Sequence, residues 1–171
     1  MTNLMNGDSS YRKVHDGLLR MHLLFVEGKR DCEEVNAIRD ATDEPWNDLS
    51  DEEKATLQGL SQDLYEVEGV ARNKPNAASP LSVEAWLSEA VHAQEKGHLD
   101  RALKLLRKCQ GCVASGRLAQ LRGSIWLEKK DPKTAAIFFK HAVDLDPSNE
   151  SARTAWLQCQ NADREPASVY S

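Results

Sequence analysis

No apolar run in this 171-residue chain approaches the roughly 20 residues that a membrane-spanning helix requires. Its start, MTNLMNGDSS, is polar and lacks the basic and apolar regions of a secretory signal. Neither terminus carries a lipidation motif. These absences predict a cytoplasmic protein with no membrane partner, in which the four cysteines are thiols. Basic charge is also scarce: 22 Lys and Arg stand against 27 Asp and Glu, a net charge of −5. Nucleic acid calls for a basic face, so it is not an expected partner. The deficit is concentrated, with 16 acidic and 9 basic side chains in residues 1–75 but 11 and 13 in residues 76–171. An acidic half can meet a basic partner, although a solvated helical surface is the simpler account.

Catalytic signatures are missing too. The chain has no GxSxG, no phosphate-binding glycine loop, no DxDxDG calcium loop and no HExxH. Its five histidines, His15, His22, His92, His98 and His141, form no metal motif, and His22 falls on an apolar stripe where a core role is expected. Asp51-Glu52-Glu53 suits a helix first turn and needs no catalytic role. The one CxxC, Cys109-Gln110-Gly111-Cys112, closes a helix instead of opening one, so the helix dipole disfavours a thiolate there. A zinc site needs two further ligands, and only Cys32, Cys159 and the scattered histidines remain. Packing is the expected role of Cys109 and a turn that of Cys112, with thiol or metal chemistry as the alternative. No enzyme activity and no cofactor is expected.

What the chain does have is helical periodicity throughout. After a frayed start at residues 1–10, Tyr11, Val14, Leu18, Met21, His22 and Phe25 recur at i, i+3, i+4 spacing, up to Gly28. A second helix follows, with Cys32, Val35 and Ile38 inward, and Asp43-Glu44-Pro45-Trp46 is expected to stop it. Ser50-Asp51-Glu52-Glu53 is a capping box opening a third helix, whose stripe is Leu57, Leu60, Leu64 and Val67. Trp46 and Leu49 are expected to pack down on that helix. Residues 11–70 thus form a three-helix segment, followed by a linker at 71–80 with Ser79-Pro80 as cap and first helical position.

Between Val83 and Pro147 one sequence occurs twice at a spacing of 33 residues. Ala90 aligns with Gly123, Ala93 with Trp126, Ala102 with Ala135, Leu106 with Phe139 and Cys109 with Ala142. A period of this length signals stacked helical hairpins, which mostly bind other proteins. Small residues at 90, 102, 123 and 135 allow close helix crossings, and Gly97 can take a left-handed turn. Asp131-Pro132 caps and starts the second helix of copy two. Trp86, Leu106, Trp126 and Phe139 fill the stack. Repeats span 83–115 and 116–149. A capping helix over 150–162 turns Ala152, Ala155, Trp156 and Cys159 inward, and 163–171 is a disordered tail.

At these residues the chain resembles the tetratricopeptide repeat family. Gly123, Trp126, Ala135, Phe139, Ala142 and Pro147 match the motif in the second copy; Trp86, Ala90, Gly97, Ala102 and Leu106 match it in the first. The first copy departs at Ala93, Cys109 and Ala114 and is one residue short. The segment DATDEPWNDLSDEE also resembles stretches of bacterial proteins carrying such repeats. The resemblance implies an all-α fold of antiparallel hairpins in a short right-handed solenoid. The amino-terminal helices lack the consensus residues, and a continuous solenoid is expected there, with two separate bundles as the alternative. It implies a concave groove lined by the first helix of each repeat: Glu84, Leu87, Val91, Gln94 and Glu95, then Arg117, Gln120, Ser124, Leu127 and Glu128, with Thr154 and Gln158 extending it. Such a groove accepts a peptide or a partner protein. The carboxylate clamp of the chaperone-binding subclass is not expected, because Leu87, Val91, Gln120 and Leu121 stand at its polar positions. With two full repeats, a homodimer or self-associating structural subunit is the alternative.

Overall fold

The structure, a computed structural model, describes residues 4–69 and 79–164, with side chains from residue 9. Among these residues every regular element is an α-helix: α1 (Leu4–Val26), α2 (Glu33–Asn47), α3 (Asp51–Val67), α4 (Pro80–Glu95), α5 (Leu99–Lys108), α6 (Ser115–Glu128), α7 (Pro132–Leu145) and α8 (Glu150–Arg164). The chain divides into two compact units, Met1–Arg72 and Asn73–Ser171. Residues 70–78, most of the expected linker, and 165–171, most of the expected tail, lie outside the described residues.

In the first unit α1 begins at Leu4, well before the expected frayed segment ends. Ser10 is buried there, and its hydroxyl donates to Asp48 Oδ2 at 3.3 Å. Gly28 closes the helix at φ +79°, with Lys29 N–H bonded to Leu24 O and Gly28 N–H to Phe25 O. That pair of bonds is the usual left-handed helix stop. The buried face of α1 is wider than the expected stripe and includes His15, Leu19 and Leu24. Where α1 crosses α2, a Cβ on Gly17 would lie 2.9 Å from Thr42 Cγ2, so glycine sets the approach.

The expected stop at Pro45 is corrected. Helix α2 continues through Pro45 to Asn47. Proline removes one donor, and this one falls in the last turn, where the amides of Asp48 and Leu49 reach the carbonyls of Pro45 and Trp46. Ser50 and Glu53 form the expected capping box. Val14, Leu49 and Leu57 make a core cluster against which Tyr11, Leu18 and Trp46 pack. Leu60 and Leu64 are buried, as the α3 stripe predicts, while Val67 is half-buried.

In the second unit α4 packs on α5, α6 on α7, and α7 on α8. The expected cap is in place, with Ser79 accepting from Ser82 N–H and Pro80 opening α4. Every aligned pair of the 33-residue repeat is buried in both copies: Ala90 and Gly123, Ala93 and Trp126, Ala102 and Ala135, Leu106 and Phe139, Cys109 and Ala142. The turns repeat as well. Gly97 has φ +79° and its equivalent Lys130 has φ +64°. Each has the following amide bonded five residues back, His98 to Ala93 O and Asp131 to Trp126 O. Asp131 accepts from Thr134 N–H and so caps α7. A Cβ on Gly123 would stand 2.9 Å from the Phe139 ring, so the helix crossing expected from small residues is present. Trp86 departs from the expected filling role: it is half-buried, with Lys108 Nζ 5.7 Å from its ring centroid. Ala152 and Cys159 of α8 are buried, and Ala155 and Trp156 are half-buried.

Candidate functional site

The residues mapped to the groove lie on α4, α6 and α8, and their side chains link these three helices. Gln94 Nε2 donates to Ser124 Oγ at 2.9 Å and to Glu128 Oε1 at 2.5 Å, tying α4 to α6. Gln120 Nε2 donates to Ser151 Oγ at 3.3 Å, and Asn149 Nδ2 donates to Gln120 Oε1 at 2.9 Å, tying α6 to the start of α8. Asn149 also caps α8 by accepting from Ala152 N–H. The mapping therefore brings Gln94, Ser124 and Glu128 together. It missed Asn149 and Ser151, which sit where copy two ends and carry no repeat signature. Thr154 and Gln158, expected to extend the face, are exposed.

Helical spacing places two apolar side chains beside the Gln94 tie. Val91 is 42 % exposed and Leu127 is 38 % exposed. Leu87 is 9 % exposed and meets solvent only as part of a cleft wall. The reason is local. Leu87 and Val83, both buried, face an open cleft of about 560 Å³ between the start of α4 and the α5–α6 turn. Exposed Glu84 and Arg117 stand at its rim with Cys112, and Pro80, Val113 and Ala114 complete the lining. The last three belong to turns and caps that the groove pattern does not cover. Glu95 is exposed outside this lining.

Two of the four cysteines, Cys109 and Cys159, are buried, while Cys112 is exposed. Cys109 is buried at the end of α5, its Sγ 3.5 Å from Leu105 O. Burial pushes its thiol up from the ordinary value, Cys112 adds to the rise and Arg122 opposes it. Cys159 is also raised by burial. A raised thiol is a poorer nucleophile at neutral pH. Among the described residues no group of three or more His, Cys, Asp and Glu side chains is placed to hold a metal ion. No described helix is long and apolar enough to cross a membrane.

Set against models of known families, characterised proteins and solved structures, the chain gives no significant match.

Proposed function

We propose that the second unit is a short tetratricopeptide-like array that binds a peptide segment of another protein without catalysis. The observation that carries this reading is an apolar patch left open on a face whose polar groups are already tied together. Val91 and Leu127 are exposed beside the Gln94–Ser124–Glu128 bonds, and the 560 Å³ cleft continues the apolar lining past Leu87. A peptide laid on this face buries apolar side chains in the cleft and meets charge of both signs at Glu84 and Arg117. The 33-residue recurrence of buried positions and of left-handed turns supports the repeat architecture. The raised thiols of Cys109 and Cys159 give the rival thiol chemistry no support.

The test is selection of displayed peptides on the full chain, followed by fluorescence anisotropy with the selected peptide. Val91→Arg with Leu127→Arg changes only partly exposed positions, so helical content and melting temperature are expected to hold. Loss of about tenfold or more in affinity supports the reading, as for a contact worth about 1.4 kcal/mol. Equal binding by both proteins, or no peptide selected, overturns it.

A further inference from the structure

Two buried polar side chains in the first unit serve neither its apolar core nor the groove. His22 of α1 is 4 % exposed, and the Glu68 side chain that closes α3 is 3 % exposed. His22 Nδ1 lies 2.8 Å from Glu68 Oε1, and Arg30 Nη2 donates to Glu68 Oε2 at 3.0 Å. A carboxylate only accepts, so Nδ1 carries the ring hydrogen and Nε2 presents a bare lone pair. Among the described residues no hydrogen bond reaches Nε2. The atom is not sealed: it keeps accessible surface although the side chain as a whole is buried. The carboxylate behind the ring fixes its orientation, and Nε2 is an acceptor aimed one way.

His22 and Glu68 both line a cavity of about 100 Å³. Met21, Phe25 and Leu64 give it an apolar wall, and Arg39 reaches it from α2. Among the described residues the Arg39 guanidinium makes no hydrogen bond or ion pair. The lining thus carries one carboxylate and one guanidinium and is balanced in charge. An anion would set its oxygens against the Nε2 lone pair, and a cation would meet Arg39. A neutral guest avoids both and loses less on leaving water. It must give a hydrogen to Nε2 on α1 and accept one from Arg39 on α2. That demand suits a donor and an acceptor on separate atoms of one small group. The volume is about two thirds of the roughly 150 Å³ that holds benzene, which leaves room for about four non-hydrogen atoms.

We propose that this cavity binds a short aliphatic primary amide of the size of acetamide. One amide N–H donates to His22 Nε2, the carbonyl oxygen accepts from the Arg39 guanidinium, and the methyl group lies against Met21 and Leu64. No proton changes place on binding, since the ring already holds its hydrogen on Nδ1 and keeps it there.

The experiment is a titration of the full chain at constant pH with acetamide, acetone and acetate, read by the His22 ring nitrogen resonances. The three compounds have the same size and shape and differ at one group. Acetamide is expected to shift the Nε2 signal saturably, with half-saturation at about 1–10 mM for so small a guest. Acetone, which has no donor, and acetate, which has no donor and carries charge, are expected to bind at least about tenfold more weakly. Arg39→Ala, at an exposed position, is expected to leave the unliganded melting temperature unchanged and to weaken acetamide about tenfold, the loss of one charge-assisted hydrogen bond. Ser61→Leu fills the cavity from α3 and is expected to abolish the response. No saturable shift by about 100 mM acetamide overturns the proposal. So does an equal response to all three compounds, or acetamide binding that survives Arg39→Ala or Ser61→Leu undiminished.

Discussion

Lys130 carries a conformation that its equivalent in the first copy assigns to glycine. Gly97 and Lys130 both sit at positive φ, where a Cβ crowds the backbone at a cost of about 1 kcal/mol. Lys130→Gly is expected to stabilise the second unit by about 0.5–1 kcal/mol, read from urea unfolding. Gly97→Ala is expected to destabilise it by a similar amount. The thiols make a second residue-scale prediction. Cys112 is exposed, Cys109 and Cys159 are buried. A thiol reagent at neutral pH should therefore modify Cys112 quickly and the buried pair only on unfolding. Raised thiol pKa values also fix the sign of a pH effect. The folded protein holds these protons when the unfolded chain releases them, so stability is full below about pH 9 and declines above it. Cys109→Ala, the residue of the second copy, should flatten that decline in urea midpoints measured across alkaline pH.

At the scale of the element, the crossing of α6 on α7 is a matched pair. The first hairpin has Ala90 with Leu106 at the positions where the second has Gly123 with Phe139. The larger ring is accommodated by the missing methyl, since a Cβ on Gly123 would stand 2.9 Å from it. Gly123→Ala is expected to cost about 1–3 kcal/mol by overpacking. Adding Phe139→Leu should recover part of that loss, so that the double variant is less destabilised than the two single effects summed. Much of this was legible in the sequence, because a spacing of 33 residues repeats the small and large positions together. Pro45 was not legible in the same way. A proline in a helical pattern reads as a stop, yet one placed in the final turn removes a single bond that the next two amides do not need. Leu87 shows the converse limit: the motif places it on α4 but cannot tell that it is almost wholly buried and reaches solvent only through a cleft. His22 falls on an apolar stripe in the sequence, and its partner Glu68 lies 46 residues away, beyond any local pattern.

For the whole molecule, the two units raise different expectations. The second has two hairpins and one further helix, with α8 packed on α7 over buried Ala152 and Cys159. Removing residues 149–171 uncovers that surface and also deletes the Asn149 bond to Gln120. The truncated protein is expected to lose cooperative thermal unfolding or to self-associate, measured by circular dichroism and sedimentation, because a terminal repeat needs a covering helix. The first unit relies less on repetition. Its Gly17 crossing, the Ser50 capping box and the buried His22–Glu68 pair are each single features without a counterpart 33 residues on.

The fit of Gly123 to Phe139, with Ala90 and Leu106 at the equivalent positions of the first copy, also constrains how such a gene can be rearranged. A crossover between the two copies that falls inside a hairpin joins Ala90 to Phe139, or Gly123 to Leu106. The first product is overfilled by a methyl group and the second leaves a gap. A crossover in the turn near Cys112 keeps each pair whole and changes only how many hairpins are present. Unequal recombination in this coding sequence is therefore tolerated at the boundary between copies and penalised within them, so arrays of this kind lengthen and shorten by whole hairpins.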